Sequence, residues 1–432
     1  MGSTTSLRRT GVALFSAAVL AALPVVGAGG PAGSADAVAA EQRGRTAWQG
    51  GWAASPQAPI TPFGPNWSEE GFADHTVRQV VRVSTGGTKA RVELSNRYGS
   101  APLRITGATV ARTDEGASVE AGSVRRLSFG KDRSVTIPAG GKALSDGVPF
   151  RVEALESVTV TLYLAAPTGP ATFHAIASAT SYRADGDHRF DRGAAAFKET
   201  SDSWYYLSGV EISGGGAPRR DGVVAFGDSI TDGVGSTSDT NNRYPDELAE
   251  RFAAAGQPRS VVNHGIGGNQ ITNDTAWAGE KAVARFGKDV LGEPGVGTVI
   301  VLEGINDIGG SGSSWQGFPG GPTPEVSAER LVEGHRTLIR QAHAKGIKAV
   351  GATLTPVKGS AYYSEVNEAK RDAVNHWIRT SGEYDAVVDL DRALADPADR
   401  DRMLPAYDSG DGLHPNDAGF RVMAEALDLD TL

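Results

Sequence analysis

The chain has 432 residues, of which 40% are hydrophobic and 22% charged, and a net charge of −9. That length is enough for two domains with full cores, the composition excludes a disordered protein, and the acidic balance excludes a nucleic-acid binder, whose phosphate contacts need clustered Lys and Arg. Cysteine is absent, so a thiol nucleophile, a zinc–thiolate site and an iron–sulfur cluster are excluded as well.

At the N-terminus, Arg8 and Arg9 precede an apolar run over residues 11–26, and small residues follow, including Ala35, Asp36 and Ala37. Charge, then an apolar stretch, then an A-x-A-like site is the order of a secretory signal. The run is short for a membrane span and ends in Gly27, Gly29 and Gly30. The expectation is cleavage of residues 1–37 and a secreted, extracellular protein with no stable membrane insertion afterwards. Arg8 and Arg9 leave both the general secretory and the twin-arginine route open.

Residues 45–212 read as an N-terminal β-sandwich domain. VRQVVRVS, KARVELSN, LRITGATVAR, SVTVTLYL and FHAIASATSY alternate apolar and polar with period two, and Gly/Pro clusters such as STGG and APTGPA interrupt them. The stretch RADGDHRFD, 183–191, mixes Asp and His but lacks EF-hand spacing and reads as a polar loop. Trp204, Tyr205 and Tyr206 read as packing at the domain junction, with a sugar-stacking platform as the alternative.

Residues 213–221 are a Gly/Pro-rich linker by composition. From 222 to 432 the pattern becomes strand, helix, strand. VVAF is a buried-strand run, PDELAERFAAAG a helix with proline at its start, and SVVNHG, TVIVLEG, KAVGATL and VVDL are further strands. Helices fall near EKAVARFGKDVL, over 327–345, over 364–380 and from about Asn416. Such alternation predicts an α/β domain, a doubly wound parallel sheet with helices on both faces and its site beyond the carboxyl ends of the strands.

Polar clusters stand at those ends: GDSI with Ser229, NHGIGG with His264 and Gly268, GIND with Asn306, and DGLHP with Asp411 and His414. A serine hydroxyl is a weak nucleophile and needs a base within hydrogen-bond reach. Of eight histidines, only His264 and His414 lie on this edge. His414 has Asp411 three residues earlier, close enough to fold under the imidazole and fix its tautomer. Asn306 offers a side-chain amide, Gly268 a backbone N–H unobstructed by a side chain, and Ser229 its own amide, the parts of an oxyanion hole. Asp228 reads as bracing the turn, His264 as a structural or pocket-wall residue, and His335, His343 and His376 as packed or solvated helix residues. Trp315 and Phe318, in the glycine-rich stretch 309–322, read as lining an acyl pocket or as part of a surface loop.

In these four blocks, taken in this order, the chain resembles the SGNH hydrolases, the GDSL esterase/lipase family, with Ile230 replacing the family's leucine. The resemblance covers 222–432. It implies Ser229 as nucleophile, His414 as base, Asp411 as its orienter, and Ser229, Gly268 and Asn306 as oxyanion hole, although GIGG offers Gly267 in nearly the same register. It also implies a flavodoxin-like fold. The β-domain resembles, more loosely, the N-terminal module of larger secreted members. The function expected is a secreted serine ester hydrolase of the carboxylesterase/lipase class, needing no cofactor or metal, with a small-molecule, lipid or polysaccharide ester as partner. An acylated-carbohydrate esterase or a phospholipase would use the same mechanism, and an acyltransferase the same site. The reading from a different class is an extracellular carbohydrate-binding protein with an inactive hydrolase domain.

Overall fold

Period-two alternation buries one face of each strand, and two such faces can close on each other. In the computed structural model, which describes residues 48–216, 219–310 and 323–432, they do so in two antiparallel sheets. One orders Trp48–Ala53, Leu207–Ser213, Gly87–Ser95 and Lys142–Leu144, with Val148–Val152 also on Gly87–Ser95. The other orders Glu199–Ser201, Ser181–Asp185, His75–Arg82, Ser157–Leu164, Gly107–Arg112 and Arg125–Arg126. Val92, Leu94 and Val210 of the first share a single core with Val77, Val160 and Leu162 of the second, so the two make a sandwich. The expected signal segment, Trp315 and Phe318 lie outside the described residues.

Two stretches that alternate in sequence are not single strands. LRITGATVAR divides at Thr106: Leu103–Ile105 pairs with Val135–Ile137, while Gly107–Arg112 stays in the larger sheet. FHAIASATSY contributes only Phe173–His174 and Ser181–Asp185 to sheets. Between them the backbone turns at Ser178, whose φ is 46°, and the carbonyls of Ala177 and Ser178 accept from Arg243 and from the Asp239 amide rather than from a ladder. The backbone here leaves the ladder and meets the C-terminal half, while Ala177 and Ala179 stay in the sandwich core.

There, five parallel strands, numbered here from the start of that half, form one sheet: β1 Gly222–Gly227, β2 Val261–Gly265, β3 Val296–Leu302, β4 Lys348–Ala352 and β5 Ala386–Val388. Their spatial order is β2-β1-β3-β4-β5. β1 is buried at all six positions, as a central strand covered on both faces must be. The helices are α1 Ser229–Asp232, α2 Tyr244–Ala254, α3 Ala282–Asp289, α4 Ile305–Gly309, α5 Ala328–His343, α6 Glu365–Thr380, α7 Leu390–Leu394 and α8 Asp417–Glu425. Local signals set their ends. Pro245 begins α2, and the side chains of Ser327, Ser364 and Asn416 accept the amides of Arg330, Asn367 and Gly419. Right-handed crossovers place α2 on one face and α3, α5 and α6 on the other.

The strand order reverses between β1 and its neighbours β2 and β3, which opens a crevice at their carboxyl ends. The sandwich packs beside it, and Arg43–Leu432 is one compact unit. Ser260 Oγ donates to the Gly50 carbonyl, Ser55 Oγ to Asp289, and Arg97 pairs with Asp289. Among the described residues, no helix is long and apolar enough to cross a membrane.

Candidate active site

The turn after β1 is built by Asp228. Its Oδ1 accepts the Ile230 amide at 3.0 Å and caps α1, so Ser229 stands at the first helical position. Burial pushes the Asp228 carboxyl up to about 7, and the nearby Asp307 adds to this. The Ile230 amide, His414 and the Arg285 guanidinium act the other way. This carboxyl belongs to the turn and not to His414, whose ring nitrogens are both engaged elsewhere.

His414 Nε2 lies 2.8 Å from Ser229 Oγ, and its Nδ1 lies 2.6 Å from Asp411 Oδ2. The other Asp411 oxygen accepts the amides of Leu413 and His414, each at 2.8 Å. Partial burial raises the Asp411 carboxyl, but the bonds from the His414 ring and the two amides outweigh it and hold the carboxyl well below the usual range. Asp411 is therefore a fixed carboxylate beneath the imidazole. The loop carrying both does not follow β5 directly. Asp389 caps α7, and a hairpin of Ala395–Asp396 with Asp399–Met403 comes next, before the chain returns to the crevice.

The loop after β2 carries two glycines, and they differ. The Gly267 amide donates to Asp232 Oδ2 at 2.9 Å. The Gly268 amide has no partner among the described residues and lines the same cleft as Ser229. Gly268 sits at φ 78°, and a Cβ there would lie 1.9 Å from the Trp277 indole, so no other residue fits. Asn306, in the first turn of α4 after β3, is buried. Its Oδ1 accepts the Tyr362 hydroxyl at 2.9 Å, and its Nδ2 donates one hydrogen to the Asn269 carbonyl at 3.1 Å. The amide has a second hydrogen, and Asn306 borders the cleft. Ser229, Gly268, Asn306, Asp411 and His414 thus meet in one cleft of about 600 Å³.

Buried charged groups lock the frame behind it. Arg285, 1% exposed, donates to the carbonyls of Gly227 and His264, each at 2.8 Å, to Glu303 at 3.1 Å and to Asn269 Oδ1 at 2.8 Å. One guanidinium so ties the ends of β1, β2 and β3 to the loop that carries Gly268. Burial and the Asp228 charge raise Glu303 well above an ordinary glutamate despite Arg285. Asp307 accepts the amides of Ile271 and Thr272; burial nevertheless pushes it up to about 6.

His264 is buried, between Ser55 Oγ at 2.9 Å and Glu293 at 3.1 Å, away from Ser229. His335 is packed against Tyr384, and burial lowers it to about 4. Trp204, Tyr205 and Tyr206 are buried, which leaves no face for a sugar. The stretch 183–191, read as a loop, begins as the end of the strand Ser181–Asp185, with Arg183 paired to Glu70 and Glu199; in the loop that follows, His188 meets Asp191 and Arg189 pairs with Asp187.

Sequence reasoning misses Tyr362, Arg285 and the pair His174–Asp232. His174 Nδ1 faces the Ser55 carbonyl at 2.9 Å, and its Nε2 faces Asp232 Oδ1 at 2.9 Å and the Ile176 carbonyl at 3.1 Å. Both nitrogens meet acceptors only, so both donate and the ring is an imidazolium. Burial opposes that charge, but Asp232 and the two carbonyls outweigh it and raise the pKa. Since Asp232 also holds the Gly267 amide, a sandwich residue is tied to the loop that carries Gly268. No local pattern in the sequence signals a contact 58 residues apart.

A parallel α/β sheet with a serine, an imidazole and free amides at its switch point defines the class of α/β hydrolytic folds. Comparison with known proteins narrows it. Residues 225–422 match the GDSL-like Lipase/Acylhydrolase family. Those residues are a GDSL-like lipase/acylhydrolase domain, and the chain is a hydrolase acting on esters. Solved structures similar to it include the acetyl xylan esterase AlAXEase, 22% identical over 47% of this chain and 96% of that one, TM-score 0.36. Another is LAE5, an alpha/beta hydrolase enzyme from the metagenome of Lake Arreo, Spain, 24% identical over 48% and 93%, TM-score 0.36. A carbohydrate acetylesterase family member from Sinorhizobium meliloti is 16% identical over 48% and 95%, TM-score 0.38. No curated protein matches the chain.

Proposed function

We propose that the chain is a secreted serine esterase working through an acyl-enzyme on Ser229. Ser229 Oγ attacks the ester carbonyl carbon while His414 Nε2 takes its proton. Asp411 stays ionised, holds Nδ1–H and stabilises the imidazolium. The negative charge that develops on the carbonyl oxygen meets the amides of Ser229 and Gly268 and the Asn306 side chain, donors already in place before the reaction. The tetrahedral intermediate collapses, the bond to the alcohol oxygen breaks, and His414 returns the proton to the leaving alcohol. Water then attacks the acyl-enzyme with His414 again as base, which releases the acid and restores Ser229.

The observation that carries this reading is the unbroken hydrogen-bonded series from Asp411 through His414 to Ser229, opening onto the cleft. It also stands against a binding protein with an inactive hydrolase half, in which no selection would keep three groups in line. The test is ester turnover: wild type should cleave activated esters, and well-folded Ser229→Ala should lose about 10⁶ in kcat. Near-normal turnover by that variant would remove Ser229 from the mechanism. Export rests on Arg8, Arg9, the apolar run and the Ala35–Ala37 site. Sequencing the N-terminus of protein recovered from the medium should place it just after residue 37; an intact Met1 would contradict cleavage.

A further inference from the structure

The sandwich contributes a wall to the catalytic cleft. Pro62, Phe63 and Ile176 line it opposite Ser229 and His414. Phe63 is 53% exposed, unusual for a large apolar side chain, and meets Trp277 edge-on with ring centroids 5.6 Å apart. Trp277 in turn lies against Gly268, and Ile176 lies against Gly267, where a Cβ would be 2.6 Å from Ile176 Cδ1. Ile176, Phe63 and Trp277 therefore make one apolar surface that begins at the oxyanion loop. Among the described residues lining the cleft, the ionisable groups are Asp411, His414 and the Tyr362 phenol, and there is no Lys or Arg to hold an anionic substituent.

Chemistry decides which part of an ester faces this wall. The leaving alcohol must lie by His414 Nε2, which protonates it. Val234 and Gly235 are on that side, with Gly235 packed against the Pro415 carbonyl of the His414 loop. The acyl chain extends the other way, past Gly268 toward Phe63 and Ile176. The wall is also held in place. His174, two residues before Ile176, is fixed by Ser55 and Asp232, and Asp232 binds the loop that the wall covers.

We propose that Phe63 and Ile176 of the β-domain, with Trp277, form the acyl-binding wall of this site, and that its substrates carry an apolar acyl chain longer than acetyl. This rests on the serine-esterase reading above. A pre-formed wall on a rigid segment pays little ordering cost when the chain docks. Each methylene it covers raises kcat/KM by about fourfold.

The experiment compares p-nitrophenyl acetate, butyrate and octanoate, which share one leaving group, in wild type, Phe63→Ala, Ile176→Ala and the double variant. Wild type should favour octanoate, and the octanoate-to-acetate ratio of kcat/KM should fall at least tenfold in the double variant, chiefly through KM. Phe190→Ala, an exposed aromatic elsewhere on the sandwich, should leave the ratio as it is. Should Ile176→Ala lose its fold, Phe63→Ala decides alone, because a half-exposed ring can be removed without opening the core. A flat chain-length profile, or an unchanged ratio in folded Phe63→Ala, overturns the wall while turnover itself preserves the esterase reading. If no ester is cleaved and fluorophosphonate does not label Ser229, the esterase reading fails and the wall with it.

Discussion

Two Asp–His pairs serve this molecule in opposite ways. Asp411 and His414 are three residues apart on one loop, and the imidazole turns its second nitrogen to the Ser229 hydroxyl. Asp232 and His174 come from the two halves of the chain, are both nearly inaccessible, and the imidazole turns its second nitrogen to a carbonyl. A hydroxyl can give up a proton and take it back; a carbonyl can only accept a hydrogen bond. In the proposed mechanism the first ring therefore exchanges a proton with Ser229, whereas the second, with acceptors at both nitrogens, is held as a cation. What separates a proton shuttle from a structural tie is the partner of the far nitrogen, not the aspartate.

That contrast sets the scale of the expected effects. Asp411→Asn should cost about 10⁴ in kcat, because the amide favours the wrong tautomer of His414, while the melting temperature changes little. Stopped-flow or steady-state turnover beside a thermal melt checks both, and wild-type activity in this variant would break the comparison. Asn306→Ala should cost about 10²–10³ in kcat with a smaller change in KM, since its amide meets charge present only in the transition state. A lowered melting temperature with normal kcat would instead make Asn306 a purely structural residue.

The buried pair should show the reverse pattern. His174→Gln strands Asp232 as an uncompensated buried charge and should cost about 3–5 kcal/mol of stability in denaturant unfolding. Its effect on kcat per folded molecule should stay below that of Asn306→Ala. The pH dependence has a definite sign. The folded pKa of His174 is raised, so its contribution is complete below the unfolded value of about 6.5 and is lost as pH rises through the folded value. The stability gap between wild type and His174→Gln should accordingly narrow in alkaline buffer. A gap that widens with pH would mean the ring is neutral in the folded protein.

The same contrast explains what could be read from the sequence. Ser229 and Asn306 sit in short blocks at strand ends, Asp411 and His414 in a block before the last helix, and the carboxylate under the imidazole is visible as a three-residue spacing. The parallel sheet was legible because short apolar runs such as VVAF and TVIVL alternate with helical stretches, some of them with a capping Ser or Asn. Gly267 and Gly268 could not be told apart, since what distinguishes them is the Asp232 carboxylate claiming one amide. His174–Asp232 and Tyr362–Asn306 join residues 58 and 56 apart, and Arg285 ties three strand ends at once. No periodicity marks such contacts. In FHAIASATSY the alternation continues through residues whose backbone has left the sheet, because Ala177 and Ala179 still bury their side chains in the sandwich core while the backbone carbonyls turn to the catalytic half.

The most direct test of the account is covalent. Incubation of the folded protein with a fluorophosphonate probe, followed by proteolysis and mass spectrometry, should find one modified residue, Ser229. Labelling should slow severely in His414→Ala, which removes the base, and persist in His174→Gln, which leaves the base intact. Modification of a different serine, or of none, would contradict the assignment of Ser229 and His414 as nucleophile and base.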